Sequence, residues 1–212
     1  MRQIDSFMEL GQTGSITELD APDALLWFVW ALQQYTLQKE QGSLQTQIAP
    51  MVSRIVEYYQ LQQHPHVFMQ ANGLLYTDGT TVPMTWMNAT ENGMPITPRT
   101  GVVVEINALW YNAVCYALEL AKKCGDKDFV AEWKALPKQT KQAFIECFYL
   151  ADEGYLADYV DLRGADKSIR CNQIIACGLP YTMVSEDQIV NILLVARQHL
   201  LTPHGLRSLS PE

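Results

Sequence analysis

Basic residues are in deficit in this chain: 15 Lys and Arg stand against 23 Asp and Glu, a formal net charge of -8. A nucleic-acid partner requires cations to neutralise phosphates, so this balance argues against nucleic acid as the main partner. Long hydrophobic runs are also missing. The longest strongly apolar stretch, Ala24 to Leu32, falls far short of the ~20 residues that cross a bilayer, so no membrane partner is expected. The opening residues, Met1 to Ser6, lack the basic start and apolar follow-on of a secretory signal. There are five cysteines, an odd number, and Cys115, Cys124, Cys147, Cys171 and Cys177 fall mostly in apolar helical stretches. Free buried thiols in a reducing compartment, and hence a cytoplasmic location, are the expectation. No Cys/His spacing suits a metal, and His64, His66, His199 and His204 are assigned to surface or capping positions. No metal or cofactor is expected, and no internal repeat of the kind that marks a solenoid is visible.

The chain does have enough apolar residues for one sizeable core: 212 residues at 48% hydrophobic composition predict a single domain over 1–212. Helical signals dominate. Residues 23–40 follow Pro22, with Asp23 near the helix start, and are apolar all round from Ala24 to Leu32, which predicts burial on every side. Residues 48–62 carry Ile48, Met51, Val52, Ile55, Val56 and Tyr59 on one face, the pattern of a one-sided helix. Residues 104–123 return to the all-round apolar type. Residues 128–135 and 138–151 are one-sided again, a short apolar helix spans about 170–178, and a last helix covers about 186–200 with Ser185 as its N-cap.

Helices buried on all sides alternating with helices buried on one side imply two concentric layers. The expected fold is therefore all-α: a partial (α/α)6 toroid of about three hairpins, roughly half of a complete ring, with an open edge through which copies would associate. The segment from 64 to 102 is longer than the usual loop. Its aromatic residues and glycines predict an ordered loop, and Asn72-Gly73 and Asp78-Gly79 bracket a small hairpin around Leu74-Leu75-Tyr76.

Residues 85–112 hold the most chemistry. Thr85-Trp86-Met87-Asn88-Ala89 and Thr97-Pro98-Arg99-Thr100-Gly101 lead into Glu105-Ile106-Asn107-Ala108-Leu109-Trp110-Tyr111-Asn112. Aromatic faces stack on sugar rings, while Arg, Asn and Glu form fork-like hydrogen bonds to vicinal hydroxyls. The residues leave alternatives open. Trp86 is a stacking platform or a core plug, and Arg99 a hydroxyl clamp or a surface ion pair. Glu105, after Val102-Val103-Val104, is a desolvated acid or a carboxylate stabilising the start of its own helix. Asn107 and Tyr111 share a helix face, which would turn both toward a cavity mouth.

These motifs, with Asp23-Ala24 and Leu26-Trp27-Phe28, Asp78-Gly79, Gly154-Tyr155-Leu156-Ala157-Asp158, Ile169-Arg170-Cys171-Asn172-Gln173 and Leu201-Thr202-Pro203-His204-Gly205-Leu206-Arg207-Ser208-Leu209-Ser210-Pro211, run in order across nearly the whole chain. In that order they resemble the glucosidase domain of bacterial and archaeal glycogen debranching enzymes. The resemblance implies an inverting, exo-acting glucosidase that removes single glucose units from α-1,6 branch stubs of glycogen or a related α-glucan. Two carboxyl groups would flank the scissile bond, about 6.5–9.5 Å apart to admit water. It also implies that Asp23, Arg170, Asn172 and Gln173 line the sugar cavity. The proton donor of the family commonly follows Trp-Met, where this chain has Asn88, an amide that cannot act as a general acid. Glu91 and Glu105 are the carboxyls close in sequence, and Glu105, after three valines, is the favoured substitute. The family's catalytic base lies in a C-terminal part beyond Glu212, so the chain is expected to be a domain truncated at both ends and weak or inactive alone. A non-catalytic α-glucan-binding or subunit-pairing module is the competing expectation.

Overall fold

The computed structural model describes residues 22–38 and 42–211. Helix α1 (Pro22–Gln38) and helix α2 (Gly42–Gln60) form the first hairpin. Strands β1 (Val67–Met69), β2 (Leu75–Thr77), β3 (Thr90–Glu91), β4 (Met94–Pro95) and β5 (Gly101–Val103) follow, and β5 leads directly into the long helix α3 (Val104–Cys124). After α4 (Lys127–Trp133) and α5 (Leu136–Phe148) come the short strands β6 (Tyr149–Leu150), β7 (Tyr155–Leu156), β8 (Tyr159–Asp161) and β9 (Gly164–Ala165). Helices α6 (Gln173–Gly178) and α7 (Glu186–His199) and the hairpin β10 (Leu201–Thr202) and β11 (Gly205–Leu206) complete the order.

Helix α3 is the axis of the fold. It packs against α1, α2, α4, α5 and α6, and every residue from Val104 to Trp110 is buried. The all-round apolar pattern of 104–123 therefore meets neighbours on all sides, as its sequence predicts. The helix ends carry local stops and starts, of which Ser185 is the one its sequence predicts. Gly125 takes a left-handed conformation (φ 77°) at the end of α3, Asp126 accepts a bond from Phe129 N at 3.0 Å, and Ser185 forms a capping box with Gln188.

Three expectations are corrected. The fold is helical as expected but not purely α: a small five-stranded antiparallel sheet in the order β1-β2-β5-β8-β9 packs against α2, α3 and α5. The segment 64–102 is consequently no long loop, since it supplies three of those strands and the β3–β4 hairpin. The bracketed Leu74-Leu75-Tyr76 does lie in a hairpin, with β2 antiparallel to β1 and Gly73 at φ 85° in the turn. Strands of two or three residues are too short to display a period in the sequence. Third, α1 is not buried on every side. Leu25, Leu26, Val29 and Leu32 enter the core, but Tyr35 and Leu37 are exposed and Trp27 and Trp30 only half covered. Apolar character marks a helix for burial; the neighbours available decide how much of it is achieved.

All five cysteines are free, and among the described residues no helix is long and apolar enough to cross a membrane and no His/Cys/Asp/Glu group could hold a metal.

Candidate active site

The sheet and the helix ends bring a set of charged groups together. Strand β5 pairs antiparallel with β8 in the register Val102↔Val160 and Val103↔Tyr159. This sets Asp158, just before β8, against the start of α3, where Val104 N donates to the Asp158 carbonyl at 3.1 Å. The side chain of Arg99, just before β5, reaches the same point. Close approach of these backbones depends on glycine. At Gly101 (φ 121°) a Cβ would lie 2.2 Å from the carbonyl oxygen of Val160, and at Gly79 a Cβ would lie 2.7 Å from that of Arg99. The start of α3 then presents Glu105 to the same point.

Arg99 is the hub and is almost fully buried. Its Nη2 donates to Glu105 Oε2 at 2.7 Å, while Nη1 makes a short contact to the other Glu105 oxygen. Nη2 also donates to Asp158 Oδ1 at 2.9 Å and to the Asp158 carbonyl at 3.1 Å, and Nε lies 2.9 Å from Asp158 Oδ2. One guanidinium thus clamps two buried carboxylates, the bidentate geometry for which arginine is shaped. Burial works against its charge, but Glu105 and Asp158 outweigh that and raise its pKa. Arg170 adds a second cation, with Nε 3.4 Å from Asp158 Oδ2. Asp158 nonetheless has its pKa pushed up to about 6, because burial dominates over the attraction of Arg99 and the Glu105 charge adds to it.

Hydrogen bonds carry this centre outward. Asn172 donates to Asp158 Oδ1 at 2.8 Å and accepts at 2.9 Å from the indole Nε1 of Trp86, a residue 46% exposed. Asp23, at the first turn of α1, accepts from the Trp86 backbone N–H, and burial followed by the Glu105 charge raises its pKa to about 6. Next to Trp86 and Met87, the Asn88 side chain is exposed. The result is an indole face held at the surface by a polar chain rooted in a buried ion cluster, with a protonatable carboxyl alongside. That can present an aromatic platform and hydrogen-bonding groups to a polyhydroxylated ligand.

The structure brings Asp23, Trp86, Arg99, Glu105, Arg170 and Asn172 together, and it changes the reading of several. Trp86 is no core plug. Arg99 is neither a surface pair nor free to clamp hydroxyls, because it is buried with its Nη groups engaged by Glu105, Asp158 and Thr85. Glu105 is fully buried with both oxygens on Arg99, so its carboxyl faces no opening through which to protonate a substrate. Asn107 does not point to a cavity. Its Oδ1 accepts from Leu75 N at 2.7 Å and its Nδ2 donates to Leu75 O at 3.0 Å, so it pins β2 to α3. Tyr111 is six positions beyond Glu105, about 9 Å along the helix axis, and bonds to Cys115. Gln173 holds the local turn, accepting from Leu156 N at 3.2 Å and donating to Arg170 O at 3.1 Å. Asp158 is the central residue that sequence reasoning left unassigned. Its signal was a lone carboxylate after the apolar Leu156-Ala157.

The profile of the amylo-alpha-1,6-glucosidase family matches residues 9–212. The periplasmic trehalase of Salmonella agona (strain SL483) is 30% identical over 128 residues, covering 59% of this chain and 22% of the trehalase. That of Salmonella schwarzengrund (strain CVM19633) is 28% identical over 127 residues, with the same coverage. The chain thus spans about a fifth of the length of these curated relatives. The crystal structure of the GH78 family rhamnosidase of Bacillus sp. GL1 superposes with a TM-score of 0.55 at 16% identity, over 81% of this chain and 17% of that one, and so shares its fold.

Proposed function

This chain belongs to the amylo-alpha-1,6-glucosidase family, and on that premise we propose that it is a glycoside hydrolase-type domain binding α-glucan at Trp86. The observation that carries this reading is the half-exposed indole tied through Asn172 to the buried Asp158–Arg99–Glu105 cluster. The substrate class we assign is the α-1,6-linked glucose stub of glycogen or a related glucan, hydrolysed with inversion, in the cytoplasm. Five free cysteines support that compartment. The helices packed on α3 would form part of an (α/α)6 toroid, with 1–212 as a single partial domain.

Arg170 is the sugar-facing candidate beside Trp86; the buried Asp23, Asn172, Arg99 and Glu105 act as positioning residues behind them. Asn88 favours binding over turnover, because a carboxamide is far too weak an acid to transfer a proton to a leaving group. The chain should release little glucose from a branched limit dextrin, and Asn88→Asp alone should not restore turnover, because inversion also needs a carboxylate base.

Titration with maltose and isomaltose, followed by tryptophan fluorescence, tests the site directly. Affinity near millimolar, about -4 kcal/mol, is expected, since a wet open subsite is poorly preorganised. Trp86→Ala should remove most of it. A folded wild-type chain whose fluorescence neither sugar perturbs would sink the assignment.

A further inference from the structure

Helix α7 is apolar on two sides, and only one is covered. Ile192, Ala196 and Leu200 are buried against the rest of the chain. Val190, Leu193 and Leu194 are 56%, 45% and 56% exposed. Advancing about 100° per residue, Glu186, Val190, Leu193, Leu194 and Arg197 fall on one stripe about 100° wide, whose centre lies more than about 100° from Ile192 and Ala196. Asn191, which donates to the Tyr149 hydroxyl at 3.4 Å, lies outside it. The exposed apolar residues continue past the helix at Leu201, Leu206 and Leu209.

The order along this stripe is self-complementary. An acid, Glu186, opens it and a cation, Arg197, closes it; both are exposed, with Val190 and Leu193 spaced evenly between. Reversal about the point between Asn191 and Ile192 exchanges Glu186 with Arg197 and Val190 with Leu193. We infer that this stripe is an interface between two copies of this chain, their α7 helices antiparallel about a two-fold axis crossing that point. Glu186 of each copy then meets Arg197 of the other at both ends, and the leucines interdigitate at the centre, an isologous contact. Each copy carries a net charge of -8. Apolar burial therefore drives the pairing against general repulsion, and the Glu–Arg contacts set direction and register.

Sedimentation equilibrium of the full chain across micromolar to submillimolar concentration tests this, with circular dichroism and thermal melts as the check on folding. A monomer–dimer equilibrium is expected. Leu194→Glu should abolish it while leaving the melt unchanged, because that side chain faces solvent in one copy. Glu186→Arg and Arg197→Glu should each weaken dimerisation about tenfold, and the double variant E186R/R197E should restore it, because the swapped charges meet again. A wild-type chain monomeric throughout the range would overturn the inference. So would a dimer indifferent to Leu194→Glu, or a double variant as weak as the single ones.

Discussion

Arg99 and Arg163 make nearly the same bond and do different things. Arg163 forks onto Asp161 with Nε and Nη2 at 2.9 and 2.7 Å from Oδ2, and its side chain is 82% exposed. Arg99 forks onto Glu105 with no access to water. The exposed pair loses little solvation on forming and gains little; it trims a loop. The buried pair has left water behind on both sides, so neither partner can be removed without stranding the other. The difference teaches that ion-pair geometry has to be read together with burial, and that the Arg99 cluster fixes where β5, β8 and α3 converge beneath Trp86.

Removing the hub should be the most damaging change. Arg99→Met would leave Glu105 and Asp158 buried without a cation and should cost about 3–5 kcal/mol in chemical denaturation. Adding Glu105→Gln and Asp158→Asn to it should recover part of that loss, because the stranded charges go too. A triple variant less stable than Arg99→Met would break the comparison.

Asp23 sharpens it through pH. Its folded-state pKa of about 6 lies above the ordinary aspartate value, so the fold binds the proton more tightly than the unfolded chain does. Its contribution to stability is complete below the ordinary carboxyl range, near pH 4, and is lost as pH rises through 6. Asp158 has the same sign. Asp23→Asn mimics the protonated form and should stabilise the chain by about 1–2 kcal/mol at pH 7, with the gain vanishing near pH 4. Thermal melts across that range measure it, and an effect independent of pH would rule out buried charge as the cause.

The smallest effect belongs to the surface. Arg163→Ala should leave both the thermal midpoint and maltose binding unaltered. A loss comparable to that at Arg99 would erase the distinction between the regions.

Helix α3 and the capped start of α7 were legible because each signal is local: an apolar run without a polar face, a serine three residues before Gln188. Trp86 was legible as an aromatic in a polar context, though the residues did not tell a platform from a plug. Asn107 misled because its shared face with Tyr111 is real, but what lies opposite that face is β2, a strand far too short to announce itself.

By itself the sequence determined which segments are helical, that Ser185 caps α7, that the charge is acidic, and that Trp86, Arg99 and Glu105 belong to one neighbourhood. Only the tertiary structure decided that Arg99 is buried, that Asp158 lies against it from 59 residues away, and that the indole of Trp86 hangs from Asn172 at a separation of 86. The physical reason is that helix propensity and capping are settled within a few residues. The meeting of charges depends on strand pairing between β5 and β8, and no local periodicity encodes that register.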